Sequence, residues 1–469
     1  MTLSTPILWV ALPLIIAAVT LIFPNRMLFG IILTSASALG LALLAAFFPE
    51  DPTFLLGSLV ITVEESLAIL GRSITLTYSI LPFISFIYAI TGLWTLISGI
   101  PGTPKLFRPI SLAITALLTA ALGVEPFLYA AVLIHIAVLA SIPLLSPEGK
   151  KPHTGILRYL ILQTLALPLI LLAGWLLSGV EALPSDSPLV VQSAIILGLG
   201  FGLWLGIFPF HSWLPMVSQH AHPVVFSHLM FLIPSTIFVF SLNFFDRYTF
   251  LRTLQNLEAT LSLFGALMIF LGGIWTATQN NLKRAFGYTI LTETGFTLLA
   301  LSLFSQGGLN WMLLLFPGRA LGFWLWGYTI SLIEKHNGSL EIEAVQGFAW
   351  RYPILSSGLL LAQLTIAGLP LLALFPIKLP ILTAAFRNGT TLGIWVFIGN
   401  LGLFLFTFRL LAAFIKPNNA LKPETFSISE KTHEYLPILI MILVLVILGL
   451  FPNLIEKLTG TLTTFPQLQ

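Results

Sequence analysis

Long apolar stretches dominate this chain and leave few folds open to it. About 20 apolar residues let an α-helix cross the hydrocarbon core of a bilayer, and the sequence contains about fourteen such stretches. They are centred on residues 6–23, 27–49, 78–100, 107–124, 126–146, 155–180, 188–217, 221–243, 257–277, 285–304, 308–333, 353–386, 391–415 and 434–455. The pattern predicts an all-α integral membrane protein with about 14 transmembrane helices.

Proline interrupts the seventh and twelfth stretches, and each interruption carries an ionisable residue. The seventh contains His211 beside Pro209, and the twelfth contains Lys378 between Pro376 and Pro380. A helix broken at membrane depth is tolerated where protein or a cavity satisfies the freed backbone groups. Ionisable residues there are costly and usually functional, and paired broken segments indicate a transport site. The two breaks therefore predict an ion-translocating protein.

Composition supports this class and excludes several others. The chain is 57% hydrophobic and 8% charged, whereas soluble domains average about 25% charged residues. A net charge of +3, spread along the chain, does not indicate nucleic-acid binding. The chain has no cysteine, no histidine pattern typical of a metal site, and no phosphate or dinucleotide loop,. We therefore predict no cofactor and no metal site. The N-terminus lacks signal-peptide features, so we expect the first span to be retained.

The lysines and arginines are distributed unevenly between alternate loops. Thirteen fall on one side of the predicted membrane and five on the other, while Arg319, Lys378 and Arg409 lie within spans. The richer side is expected to be cytoplasmic or equivalent, which places both termini outside. The connection 50–77 then lies outside, and its Thr/Ile/Val alternation predicts a short hairpin,.

The two broken spans lie five spans apart. Since five is odd, five-helix units formed by spans 4–8 and 9–13 would have inverted topology. We therefore expect four segments. These are a three-helix segment with the outer hairpin at 1–104, two five-helix repeats at 105–245 and 246–415, and a C-terminal helix at 416–469.

Four motifs, in the same order, resemble one family. Residues 279–288 read Gln-Asn-Asn-Leu-Lys-Arg-Ala-Phe-Gly-Tyr, and residues 208–215 read Phe-Pro-Phe-His-Ser-Trp-Leu-Pro. Residues 223–228 run from Pro-Val to His228, and Gly-Leu-Pro at 368–370 precedes Lys378. Together they are similar to the antiporter-like membrane subunits of respiratory complex I, which are related to Mrp-type cation/proton antiporters and membrane-bound hydrogenase modules. The resemblance covers about residues 75–415.

The resemblance implies a function and a setting. Family members carry a half-channel in each repeat, joined by charged groups along the membrane midplane. The chain would then be a non-redox subunit of a proton-translocating NAD(P)H or ferredoxin:quinone assembly. Its partners would be other membrane subunits and the lipid bilayer. The membrane would be the bacterial inner membrane, the thylakoid membrane or an organellar equivalent.

The chain also departs from the family pattern. His135 stands near the position of the fifth-span glutamate, and Trp204 stands at the seventh-span lysine. Arg319 replaces the eleventh-span lysine, and Glu293 replaces a tenth-span glutamine. Arginine holds a charge but does not release its proton. The first half of the relay is thus largely lost, while Lys378 remains in the second half.

Each relay candidate also has a structural interpretation. Lys378 either acts at the midplane or extends to the interface, and Glu293 and Arg319 form either a conducting or a purely structural ion pair. His211 and His228 either line a water path or bind freed carbonyls, while His135 is favoured as structural. Arg409 either pairs with the twelfth-span break or extends to the interface.

The chain therefore has three candidate functions. It is a complex I-type subunit, a subunit of an Mrp-type cation/proton antiporter, or a mainly structural paralogue of such subunits. The sequence does not separate the first two.

Overall fold

The computed structural model describes most of the chain. The described residues are 2–49, 53–56, 59–69, 71–146, 152–179, 187–254, 256–416 and 429–468. Parts of the connection 50–77 (residues 50–52, 57–58 and 70) lie outside them.

Helices make up most of the described residues. The α-helices, in chain order, are α1 (Leu12–Ile22), α2 (Met27–Ala46), α3 (Leu81–Leu96), α4 (Phe107–Gly123), α5 (Tyr129–Leu145), α6 (Thr154–Gly179), α7 (Pro188–Leu205), α8 (Trp213–His220), α9 (Pro223–Arg247), α10 (Leu257–Thr278), α11 (Leu282–Ser302), α12 (Gly308–Asn337), α13 (Phe348–Arg351), α14 (Pro353–Ala367), α15 (Phe375–Asn388), α16 (Thr390–Ile415) and α17 (Thr432–Leu450). A π-helical turn, Ile7–Ala11, leads into α1. By length and apolar composition, eight helical segments of this described part could cross a membrane. The prediction of an all-helical, multi-pass membrane fold is confirmed.

Short strands form two small sheets. They are β1 (Thr2–Ser4), β2 (Thr53–Leu56), β3 (Leu59–Glu64), β4 (Ser66–Ile69), β5 (Arg72–Thr75) and β6 (Val124–Glu125). In the first sheet β3 pairs parallel to β1 and antiparallel to β2, and in the second β5 pairs antiparallel to β4 and β6. The connection 50–77 thus contains two hairpins rather than the one predicted.

The centre of the molecule is formed by α9, α11 and α12, whose residues are almost all buried. Helices such as α2, α6 and α17 expose many apolar side chains, as surfaces that face lipid do,. Close approach of α10 and α16 depends on glycine. A Cβ atom on Gly273 would lie 1.8 Å from the carbonyl oxygen of Gly399, so no larger residue fits there.

The chain beyond α17 is more structured than the predicted single C-terminal helix. Residues Pro452–Thr464 and Pro466–Leu468 form 3₁₀ helices. The Thr464 hydroxyl donates to Ser79 Oγ at 3.0 Å, and Asp246 Oδ1 accepts from the Gln467 backbone N–H at 2.7 Å. These contacts hold the C-terminal segment against the 3₁₀ turn before α3 and against the end of α9.

Candidate functional site

The second proline-rich break separates α14 from α15. Helix α14 ends at Ala367, and Gly368 follows in the left-handed region with φ +76°. A Cβ atom on Gly368 would lie 3.3 Å from Lys378 Cδ. Glycine is therefore favoured at this position for two reasons. It adopts a positive φ without steric strain, and it leaves room for the aliphatic part of the Lys378 side chain.

The break brings three charged side chains from three helices together. Glu293 lies on α11, Arg319 on α12 and Lys378 on α15. Lys378 Nζ lies 2.5 Å from Glu293 Oε1, and Arg319 Nε lies 3.1 Å from Glu293 Oε2. We call these residues the Glu293 triad. Each is at most 5% exposed, so the interpretation of Lys378 as a residue that extends to the interface is wrong.

Arg319 is held in place more tightly than its ion pair alone requires. Its Nη2 also donates to the backbone carbonyl of Glu293 at 2.8 Å, and its guanidinium lies 5.9 Å from the centre of the Phe316 ring. The two hydrogen bonds to one residue fix both the carboxylate and the guanidinium. The triad thus carries one permanent cation, since arginine stays protonated.

Lys378 has further contacts at the carboxyl end of α14. Its ammonium donates to the carbonyl of Ile366 and lies 3.9 Å from the centre of the Phe296 ring. The next carbonyl, that of Ala367, accepts from Asn400 Nδ2 at 2.8 Å. Side chains thus satisfy carbonyls that the break leaves without helical donors.

The charge balance of the triad is unequal. One carboxylate accepts from two basic groups, so the fully charged triad carries a net charge of +1. Buried charge is costly unless it is paired and hydrogen-bonded. Release of one proton from Lys378 would make the triad neutral, while Arg319 would still pair with Glu293. The arrangement can therefore hold a proton in one state and lack it in another.

The first break separates α7 from α8, and its ionisable residue, His211, packs against aromatic rings. Helix α7 ends at Leu205, and a 3₁₀ turn, Phe210–Ser212, precedes α8. The half-buried His211 ring stacks on Trp275 at 5.0 Å and on Phe208 at 5.5 Å. Its buried Nδ1 has no hydrogen-bond partner within the described part of the chain.

Trp204, which the family resemblance matches to a lysine, lies one residue before the end of α7. It is 1% exposed. Its Nε1 donates to the Gln163 carbonyl at 3.2 Å, and Gln163 Nε2 donates to the Trp204 carbonyl at 2.8 Å. This reciprocal pair joins α7 to α6 without any ionisable group.

The remaining histidine candidates lie apart from the triad. His228 is fully buried, with ring centres 5.4 Å from Trp94 and 5.6 Å from Phe107. Neither of its ring nitrogens has a described hydrogen-bond partner, and neither does Nδ1 of the buried His135. No contact found among the described residues joins these histidines to Glu293.

Two roles were missed or misassigned at the sequence level. The Ile366 carbonyl carries no side-chain signal, although its position two residues before Gly368 marks it as a freed helix-end group. Arg409 does not pair with the twelfth-span break, and its exposed side chain extends toward the carboxyl end of α10. It donates instead to the carbonyls of Ala277 and Gln279 and to Asn280 Oδ1, and so caps the end of α10. In the described residues no group of three or more His, Asp or Glu could hold a metal ion.

Comparison with known proteins places this fold in context. The family described as "NADH:quinone oxidoreductase/Mrp antiporter, TM" matches residues 110–404. A relative named NADH-quinone oxidoreductase subunit N, from Psychrobacter arcticus, is 24% identical over 277 residues, which are 57% of this chain and 56% of that protein. The chain thus spans a little over half the length of that relative.

Solved structures share the fold at lower sequence identity. A chain of the Mrp complex from Dietzia sp. DQ12-45-1b superposes with a TM-score of 0.80 at 16% identity, over 97% of this chain and 96% of that one. A chain of respiratory complex I from Thermus thermophilus gives 0.78 at 18% identity, over 99% and 100%.

Proposed function

The chain belongs to the NADH:quinone oxidoreductase/Mrp antiporter family of transmembrane proteins, and we propose that it is an antiporter-like subunit of a complex I-type assembly. In this assembly it takes part in proton translocation, while other subunits transfer electrons from NAD(P)H or ferredoxin to a quinone. Its own described residues supply charged groups but no recognisable redox site. Its partners are the neighbouring membrane subunits and the lipid bilayer of a bacterial inner, thylakoid or organellar membrane.

The Glu293 triad is the observation that carries this proposal. A buried lysine at a helix break, paired with a carboxylate, suits proton uptake and release because moving the partner changes how well the ammonium is stabilised. Lys378 is the proton carrier in this proposal. Glu293 is its counter-ion, and Arg319 is a permanent positive charge that pairs with Glu293.

The proposed architecture has fourteen spans. Counting α7 with α8 and α14 with α15 as single broken spans, the described helices from α1 to α17, without the short α13, supply that number. The breaks then fall in the seventh and twelfth spans. This arrangement supports the division into 1–104, two inverted five-helix repeats at 105–245 and 246–415, and 416–469.

The first repeat has a reduced role in this proposal. Trp204 and Gln163 seal the place where the family has a lysine, and His135 stands where it has a glutamate. His211 and His228 remain as candidates for a water-lined path, which is supported by their buried ring nitrogens without protein partners. Proton transfer would thus depend mainly on the second repeat.

An Mrp-type antiporter subunit is the second candidate, because the Mrp complex shares the fold as closely as complex I does. Purifying the native assembly and identifying its subunits separates the two. Peripheral iron–sulfur subunits would accompany only the redox-coupled assembly.

Substitution of Lys378 tests the translocation role against a purely structural paralogue. Lys378→Met should strongly reduce proton uptake into vesicles that contain the assembly, while its abundance stays nearly normal. Lys378→Arg should also impair uptake, because a guanidinium retains its proton where an ammonium releases one. Lys416→Met, at an exposed position beyond α16, is the matched control and should behave as wild type.

The opposite pattern would support a structural role. In that case Lys378→Arg would translocate normally and Lys378→Met would fail to assemble. Normal proton uptake by fully assembled Lys378→Met would remove Lys378 from the mechanism.

A further inference from the structure

A cavity of about 750 Å³ lies at one end of the helix bundle, away from the Glu293 triad. Its walls come from the loop before α4, the end of α5, the link between α8 and α9, the start of α11 and the end of α12. The lysine and arginine asymmetry assigns this end to the cytoplasm. We call this space the basic cavity.

Basic side chains predominate in its lining. Lys105, Lys283 and Lys335 line it, and Glu334 is the one acidic residue among the described side chains of the lining. Lys283 pairs with Glu334 at 2.7 Å, and Lys335 pairs at 2.7 Å with Glu434, which lies behind the wall. Three lysines against two carboxylates leave an excess of one positive charge.

The lysines retain donors that their present partners do not use. An ammonium has three N–H donors. Each of the three lysines makes one described hydrogen bond, and that of Lys105 goes to Asn25 Oδ1 at 2.8 Å. The partners therefore hold the ammonium groups in place while leaving donors for a further acceptor.

Two other polar atoms of the lining lack partners among the described residues. They are Thr103 Oγ1 and His222 Nδ1, and both are buried. The other ring nitrogen of His222 faces the Pro101 carbonyl at 3.4 Å. The Thr103 hydroxyl lacks an acceptor, and Nδ1 of the neutral His222 ring lacks a donor, so both atoms are left for a group outside the described residues,.

Helix ends of both kinds meet at the cavity, since α8 ends at the lining residue His220. Helices α4, α9 and α11 begin at the rim of the cavity, and His222 is the residue before α9. Helix N-termini favour anions. Helices α5 and α12 end at the same rim, and Lys335 in the last turn of α12 offsets the negative end of that helix.

We propose that the basic cavity binds a phosphate-type oxyanion, either the headgroup of an anionic membrane lipid or a free anion. Lys105, Lys283 and Thr103 supply the donors, and His222 adds one when its ring is protonated. The cavity is larger than one phosphate group, so a glycerol backbone or bound water also fits. This inference does not depend on proton translocation.

Binding should be coupled to protonation of His222. Burial, and then the charge of Lys283, lower the pKa of His222 to about 4. His222 Nε2 faces a carbonyl, so Nδ1 becomes a donor only when the ring is protonated. A bound anion raises the pKa, and affinity should therefore rise as pH falls from 7 toward 4. The other titratable and charged groups of this wall are Lys105, Lys283, Lys335, Glu334 and His220.

Anion binding is measured on the full-length chain in nanodiscs. With phosphatidylcholine alone, sulfate should raise the melting temperature in a saturable way that chloride at equal ionic strength does not reproduce. Lys105→Gln should weaken sulfate binding about tenfold, the factor expected for loss of one charge-assisted hydrogen bond. Lys431→Gln, at an exposed position outside the cavity, is the matched control and should not change it.

Lipid composition identifies the source of the anion. If phosphatidylglycerol in the nanodisc abolishes the sulfate effect in wild type but not in Lys105→Gln, a lipid headgroup occupies the cavity. If the sulfate effect in wild type is undiminished in nanodiscs that contain phosphatidylglycerol, a free anion is the ligand of the cavity. Sulfate keeps its charge over this pH range, so the pH dependence of its affinity should vanish in His222→Gln.

Two results would overturn the proposal. One is a melting temperature that responds equally to sulfate and chloride. The other is a sulfate response that Lys105→Gln and Lys431→Gln change to the same extent.

Discussion

At the scale of single residues, Glu293 is the group on which the buried charges depend. Both of its carboxylate oxygens and its backbone carbonyl accept from Arg319 or Lys378. Removal of either cation leaves a one-to-one pair. Removal of the carboxylate leaves two buried cations facing each other across a neutral side chain, so the three residues are not equivalent.

We therefore expect Glu293→Gln to be more destabilising than Arg319→Leu. Stranding buried charge costs about 3–5 kcal/mol, whereas Arg319→Leu still leaves Lys378 paired with Glu293. Thermal unfolding of the purified chain measures the difference, with the exposed Glu258→Gln as control. A larger loss of stability in Arg319→Leu would contradict the assignment of Glu293 as the central counter-ion.

The sequence analysis named the members of the triad and the Glu293–Arg319 ion pair, but it did not derive the contact of Lys378 with Glu293. Each stood out because an ionisable residue in an apolar stretch is rare. The contact of Lys378 with Glu293 does not follow from the sequence pattern, since 85 residues separate the two. Helix packing decides such contacts. The same limit explains Arg409, whose acceptors at the end of α10 are about 130 residues away.

At the scale of elements, the break between α14 and α15 depends on its glycine. Gly368→Ala should cost about 1–2 kcal/mol, because an L-residue is strained at positive φ and the new methyl group presses on the Lys378 stem. Gly198→Ala is the control, since a Cβ atom there meets nothing within 4 Å in the middle of α7. Chemical or thermal unfolding measures both. Equal stability of the two variants would mean that the break tolerates a side chain.

Helix α17 is fastened to the bundle by one carboxylate that the sequence analysis did not single out. Glu434 is 3% exposed, and its two oxygens accept from Lys335 at 2.7 Å and His336 at 2.9 Å. The only sequence signal was an acidic residue at the start of an apolar stretch, a position that usually faces solvent.

Glu434→Gln should loosen the start of α17. Loss of the charged acceptor removes about 1–3 kcal/mol of local stability, so backbone amides there should exchange with deuterium about tenfold faster. Glu343→Gln, at an exposed position, is the control. Unchanged exchange in α17 would show that the Glu434 carboxylate does not hold the helix.

At the scale of the whole molecule, the described polar contacts agree with the topology predicted from charge. Contacts between loops join groups assigned to one side of the membrane. On the cytoplasmic side these are Lys105–Asn25, His222–Pro101, Lys283–Glu334 and Lys335–Glu434. On the outer side they are Ser73–Glu125, Gln306–Asn388, Thr464–Ser79 and Gln467–Asp246. Apolar periodicity thus predicted an all-helical, multi-pass fold, because a bilayer leaves few alternatives.

Cysteine labelling tests this topology directly, since the chain has no cysteine of its own. Single cysteines at Lys105, Arg284 and Lys416 should be protected from a membrane-impermeant maleimide in right-side-out vesicles, while those at Glu64 and Glu258 should react. All five positions are exposed, so protection reports the compartment rather than burial. Permeabilising the vesicles should make all five react equally. If only one or two of the cysteines at Lys105, Arg284 and Lys416 react in sealed vesicles, these positions lie on different sides of the membrane. The number of spans between them would then differ from the proposed number.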